Sequence, residues 1–206
     1  MKPKTLVPFT LLLLALLVSG CESKSPYGRA AENLQAIKFK DNAVTNAKVP
    51  DKVSELTFVD TSGAKVKLAD FQGKKNVLLV ITRGFTQPLC PFCRAQTSRL
   101  VSNYDKFKDL NTEVLLVYPG QKGQLEKFLK SVDTVDKGQI EKVPFRILLD
   151  DGLEAVKFFG IEARRAYPST YIFDKQGQTR FAYVGGGDAD RPSIQAMLEQ
   201  LKLLGE

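Results

Sequence analysis

The feature that most constrains this chain is the pair Cys90-Pro91-Phe92-Cys93, set a short loop after the continuous apolar run Asn76-Val-Leu-Leu-Val-Ile-Thr82. A run without polar alternation reads as a central strand covered on both faces, because a half-exposed strand would alternate. Proline suits the first position of a helix, where its missing N–H would have no partner anyway. The order is therefore strand, loop and helix start, with one sulfur just before the helix and a second one turn later.

Periodicity predicts the other elements. Residues 55–59 and 64–68 alternate apolar and polar positions around Asp60-Thr-Ser-Gly63, the pattern of a hairpin with one buried face per strand. Residues 91–108 have helical spacing, with Ala95, Leu100, Tyr104 and Phe107 as candidate core positions. A second buried strand follows over 112–118, then a helix over 123–132, a short strand over 145–149 and a helix over 152–159. Residues 170–173 and 181–184 form a hairpin across Lys175-Gln-Gly177, and 192–203 is the closing helix. Strands alternating with helices, then a hairpin and a helix, imply an α/β fold: a central mixed β-sheet flanked by α-helices, with an N-terminal β-hairpin. A chain of 206 residues is enough for one packed domain and short for two.

Disulfide exchange needs a thiolate to attack and a second thiol near enough to release the mixed disulfide. At the head of a helix, Cys90 faces backbone N–H groups and the positive helix end, which lower its pKa. Cys90 is thus the expected nucleophile and Cys93 the resolving thiol. There are three cysteines and no histidine, which excludes Ser-His and Cys-His catalysis and leaves a zinc site short of its usual four ligands. A structural disulfide across two intervening residues would constrain the unfolded chain little. An inert core pair would be unusual at the mouth of a strand-to-helix turn. No metal or other cofactor is expected. The formal net charge is +7, but the positive residues are scattered among acidic ones, which implies a solvated surface and no nucleic-acid partner.

Residues 1–20 have the order of a secretory signal peptide, with Lys2 and Lys4, an apolar run from Leu6 to Val18, and small residues before Cys21. That run is shorter than the about 20 residues of a spanning helix. Leu17-Val-Ser-Gly-Cys21 resembles a bacterial lipobox, which implies lipid on Cys21 and a periplasm-facing lipoprotein of the cell envelope. Glu22, in place of the aspartate of inner-membrane retention, leans toward the outer membrane. Residues 21–50 read as a polar tether with a short helix over 29–39, and residues 51–206 as the domain. With Cys21 lipidated, Cys90 and Cys93 remain as a pair in an oxidising compartment.

Residues 51–200 resemble the AhpC/TSA and membrane-anchored thiol-disulfide oxidoreductase branch of the thioredoxin superfamily. The resemblance is carried by the opening hairpin, Leu68-Ala-Asp-Phe-Gln-Gly73, the Cys90–Cys93 pair, Pro144-Phe-Arg-Ile-Leu-Leu-Asp150 with Phe158-Phe-Gly160, and Tyr167-Pro-Ser-Thr-Tyr-Ile-Phe-Asp-Lys-Gln-Gly177. It implies a thioredoxin-like fold and a redox partnership with protein or small-molecule thiols and disulfides, including an electron donor or acceptor that the sequence does not identify. Peroxiredoxins carry Pro-x-x-x-Thr-x-x-Cys and an arginine before a strand that ends in aspartate. Here Thr86 lies four residues before Cys90, and Pro168 stands six before Asp174, where that arginine would be. Pro168 resembles the cis-proline of thioredoxins, whose preceding residue, Tyr167 here, pairs with an extended substrate. Disulfide exchange is therefore expected first and hydroperoxide reduction second, with Arg164 and Arg165 as a nearby source of positive charge for the latter. Phe85, Thr86, Leu89 and Phe92 are expected at the substrate rim. Gln96 stands where membrane-anchored oxidoreductases commonly show a proton-accepting glutamate. A Cu(I) chaperone, the third alternative, would resemble a wider cysteine spacing with a distant histidine.

Overall fold

The apolar runs pair as their patterns require. In the computed structural model, which describes residues 33–132 and 143–205, β1 (Thr57–Asp60) and β2 (Lys65–Lys67) form the antiparallel hairpin. β3 (Asn76–Ile81) and β4 (Thr112–Tyr118) lie parallel, with Leu79 opposite Leu115, and β5 (Arg146–Leu149) extends the parallel set. β6 (Ser169–Phe173) runs antiparallel to β3 and pairs with β7 (Thr179–Val184). The result is one seven-stranded mixed sheet in the order β2-β1-β5-β4-β3-β6-β7.

All six residues of β3 are buried because the sheet is covered on both sides. Leu78 and Val80 face the layer that holds α1 (Pro91–Ser102), α2 (Tyr104–Asp109), α3 (Lys122–Lys130) and α5 (Ile194–Lys202). Val77, Leu79 and Ile81 face the other layer, with α4 (Glu154–Phe158) and the hairpin residues Phe58 and Val66. The helix expected over 91–108 is divided at Asn103, whose side-chain amide donates to the Arg99 carbonyl at 2.9 Å and so competes with the helical ladder.

The expected tether is corrected. The leader, Cys21 and the tether's first residues lie outside the described residues, but from Leu34 onward the chain packs on the domain, with Ile37 and Ala43 buried. It covers the free edge of β7: Asn46 N–H donates to the Ala182 carbonyl at 3.0 Å, and the Asn46 side chain both accepts from Val184 N–H and donates to its carbonyl. The same strap brackets the entry to α5, where Lys40 N–H donates to Arg191 O and Ser193 N–H donates to Lys40 O, both at 2.8 Å. Two of its polar side chains, Thr45 and Asn46, bond backbone groups of the strand edge, which composition alone reads as a tether. Of the helix expected over 29–39, the described part holds one 3-10 turn, Leu34–Ala36.

A chain starting at Asp51 is accordingly expected to melt about 5–10 °C below one starting at Asn33, since burial of an Ile37-sized side chain contributes about 2–3 kcal/mol. Equal melting temperatures by calorimetry would contradict a structural strap.

Candidate active site

The loop that delivers the cysteines begins where β3 ends. Gly84, at φ 75°, lets this loop lie against Pro119; a Cβ there would sit 2.0 Å from the Pro119 carbonyl oxygen. Cys90 caps α1 with its sulfur accepting the Cys93 N–H at 3.4 Å, and Pro91 takes the first helical position. Both cysteines are reduced and almost fully buried, at 2% and 1% exposure.

Arg191, in the turn between β7 and α5, reaches them from the far end of the chain and is itself 1% exposed. Its Nη2 donates to Cys93 Sγ at 3.2 Å, its Nη1 to Gln96 Oε1, and its Nε to the Asp188 carbonyl at 2.9 Å. Among the described residues no carboxylate pairs with this guanidinium. A buried cation without a counterion is strongly unfavourable, so the charge balance falls to the sulfur it touches. Neighbouring Asp190 pins the turn: it accepts from Tyr183 Oη at 2.6 Å and from Gly186 N–H at 2.9 Å, and it pairs with Lys40 at 2.7 Å. Gly185 allows the close passage, since a Cβ there would lie 2.0 Å from the Asp190 carbonyl oxygen.

These contacts set the buried positive charge against Cys93, whereas the sequence pointed to Cys90 as the stabilised sulfur. Burial pushes the Cys93 thiol up, but the hydrogen bond from Cys90, the Arg191 charge and the Arg83 backbone N–H outweigh it and bring Cys93 down to about 6. Cys90 is pushed up, first by holding its proton toward Cys93 and then by burial. The helix end, worth about 0.3–1 kcal/mol to a charge, loses to a buried guanidinium in direct contact.

Pro168 is also corrected. It is trans, the cis peptide among the described residues being Gln87-Pro88. Pro168 lies buried just ahead of β6, where no ladder N–H is needed, and its carbonyl accepts from Gly185 N–H at 2.9 Å. Tyr167 is 41% exposed, but its N–H already donates to Ile161 O, so it offers no donor to a substrate strand. The rim residues do gather. Phe85 and Phe92 are half-buried against the core, and Thr86 donates its hydroxyl to Pro88 O at 2.9 Å. Leu89 is half-buried and lines neither of the two cavities beside the loop. Those cavities, about 430 and 380 Å³, are shared by Thr86, Gln87 and Arg164. Arg83 pairs with Asp188 at 2.6 Å at the edge of the first. Sequence reasoning missed Arg191, Asp188 and Tyr118; the one hint was an arginine just after a Gly185-Gly-Gly turn that leaves a strand.

Comparison with known proteins agrees with the architecture. Residues 46–182 match the AhpC/TSA family. The chain is 29% identical over 147 residues to a chloroplastic peroxiredoxin Q of Suaeda salsa, covering 66% of this chain and 63% of that protein. It is 24% identical to peroxiredoxin Bcp of Bacillus subtilis, covering 63% of this chain and 80% of that one. Its fold is similar to the solved peroxiredoxin Q of Xanthomonas campestris, with a TM-score of 0.58 at 13% identity over 79% of this chain and 99% of that chain. It is also similar to the mitochondrial 2-Cys peroxiredoxin of Plasmodium falciparum, with a TM-score of 0.60 at 19% identity over 79% and 94% of the respective chains. The matches span 63%, 65% and 54% of the length of the first relatives, short of two thirds.

In Arg191→Met, the thiolate absorbance near 240 nm is expected to titrate about one to three pH units higher than in the parent, with partial recovery in Arg191→Lys. An unchanged titration would separate Arg191 from the thiolate. Because Cys93 titrates in the fold below the ordinary 9.0 of a thiol, its pairing stabilises the protein in full above pH 9.0, and that stabilisation fades as pH falls through about 6.

Proposed function

Given that the chain belongs to the AhpC/TSA family, we propose that it is a thiol peroxidase that reduces hydroperoxides through Cys93 and Cys90. The observation that carries this reading is a buried sulfur held against a buried guanidinium by Arg191, in a site that small molecules enter more readily than a folded protein disulfide. Disulfide exchange loses its main support once Pro168 is trans and the Tyr167 N–H is engaged.

In the proposed cycle the Cys93 thiolate attacks one peroxide oxygen and the O–O bond breaks. Cys93 becomes a sulfenic acid, and the departing alkoxide or hydroxide takes a proton from water. The Arg191 N–H groups lie where negative charge spreads from sulfur to oxygen, which lowers the barrier. The Cys90 thiol then attacks Cys93 sulfur: the S–S bond forms, the S–O bond breaks, and the hydroxide leaves as water with the Cys90 proton. Two thiols thus supply the two electrons that reduce one O–O bond. Keeping its proton until this step makes Cys90 the resolving thiol.

The proposal extends to location. Residues 1–20 act as a lipoprotein leader, and Cys21 carries lipid that holds the domain in the cell envelope. Incorporation of labelled palmitate is expected in the parent and not in Cys21→Ala; incorporation that survives the substitution contradicts the anchor.

The chemistry is tested by mixing reduced protein with hydrogen peroxide and, separately, with a disulfide-bonded protein. Peroxide is expected to oxidise the parent at least about 100-fold faster than a free thiol at equal pH. Cys93→Ser should lose this reaction, and Cys90→Ser should complete only its first half. A protein disulfide that outruns peroxide, with peroxide reacting at the free-thiol rate, would return the site to disulfide exchange.

A further inference from the structure

The two cavities beside the dithiol carry an imbalance of charge. Their linings include Arg83, Arg164 and Arg165 against a single carboxylate, Asp188, and that carboxylate is already spent on Arg83 at 2.6 Å. Arg164 is exposed and Arg165 half-exposed, and among the described residues neither has a carboxylate partner.

Neither cysteine lines the recess, but residues next to them in chain and in space do. Phe92, from within the cysteine pair, lines the first cavity, and Thr86 lines both. Asp188 lines the first cavity while its carbonyl holds Arg191, whose guanidinium touches Cys93. A further sign comes from Tyr118 at the end of β4. Its hydroxyl is fully buried and without a hydrogen-bond partner. Burial pushes the phenol upward, the Cys93 charge adds to this and Arg165 opposes it, so the orphaned hydroxyl lies within electrostatic reach of both the sulfur and a cation of the recess. A buried hydroxyl without a partner is uncommon, and this one lies behind the recess and not in its lining.

We propose that the two cavities form one vestibule that seats a small carboxylate-bearing substrate of the dithiol cycle, its carboxylate on Arg164 and Arg165. This rests on the peroxidase reading and adds a class of co-substrate to it. The carboxylate belongs either to the thiol that regenerates the site or to an organic hydroperoxide. Cavities of about 430 and 380 Å³ admit a molecule of that size. In the thiol case, the first thiolate attacks Cys90 sulfur of the Cys90–Cys93 disulfide. The S–S bond breaks toward Cys93, whose thiolate Arg191 stabilises as the better leaving group. A second thiolate attacks the external sulfur of the mixed disulfide; Cys90 leaves and takes up a proton, and the two external thiols depart as one disulfide. In the hydroperoxide case, the bound carboxylate holds the O–O group toward Cys93 for the attack described above.

The test uses the full chain and a charge series in two arms. In one arm the oxidised protein is reduced by cysteamine, 2-mercaptoethanol and 3-mercaptopropionate, with rates corrected for thiolate fraction. In the other, the reduced protein is oxidised by tert-butyl hydroperoxide and by a fatty-acid hydroperoxide carrying a free carboxylate. The carboxylate compound is expected to react about tenfold faster than its neutral counterpart in at least one arm, and that arm identifies its source. The preference should vanish in the Arg164→Ser, Arg165→Ser double variant, whose substituted side chains lie at the surface, and shrink with added salt. A flat series in both arms, with the parent still reacting rapidly with hydrogen peroxide, overturns the vestibule and leaves the peroxidase reading standing. If hydrogen peroxide reacts only at the free-thiol rate, the peroxidase reading fails and the vestibule is judged by titration with unreactive 3-(methylthio)propionate. Binding lost in the double variant supports the vestibule, and no binding overturns it.

Discussion

One contact organises this site: the buried Arg191 guanidinium against the buried Cys93 sulfur. Each charge alone would be strongly disfavoured at that depth; together they are tolerable, provided the remaining N–H groups of the guanidinium find acceptors. Gln96 and the Asp188 carbonyl supply them. The amide at position 96 therefore has a clear task as a neutral acceptor that orients the cation. A carboxylate there would pair with Arg191 and compete with the thiolate for its charge.

The surrounding fold holds that contact in place. The parallel strands β3 and β4 end at the same level, and the loop carrying Cys90 lies beyond their carboxyl ends, the usual place for a site in such sheets. From the opposite edge, β7 leads through a glycine-rich turn to Arg191, and this turn is fixed by Tyr183, Asp190 and Lys40. Lys40 belongs to the strap, so the segment on the N-terminal side of the domain is physically connected to the electrostatics of the dithiol.

The elements were legible because they are local. Every expected strand and helix between residues 55 and 203 appears within a few positions, since alternation, apolar runs, Pro91 and the turn residues act over short spans. The placement of the two cysteines at the head of a helix was legible for the same reason. The contact that favours charge on Cys93 was not, because it depends on an arginine 98 residues away from Cys93. Reading Cys90 as the nucleophile used the helix end, a local effect weaker than a buried guanidinium in direct contact. Pro168 was misjudged because a proline ahead of a strand has the same letter in either isomer; its trans bond and the engagement of Tyr167 N–H with Ile161 distinguish its role. The strap was misread because Thr45 and Asn46 satisfy a strand edge, a partner that composition does not reveal.

The central claim is that the negative charge of the dithiol resides on Cys93 because Arg191 is there. Its most direct test is a pH titration followed by NMR of the two cysteine Cβ resonances in the reduced protein, each assigned by substitution. The account predicts that the Cys93 signal shifts with a midpoint near 6 while Cys90 remains protonated well above the ordinary thiol range. A Cys90 signal that titrates first, with Cys93 unchanged through neutral pH, would contradict it.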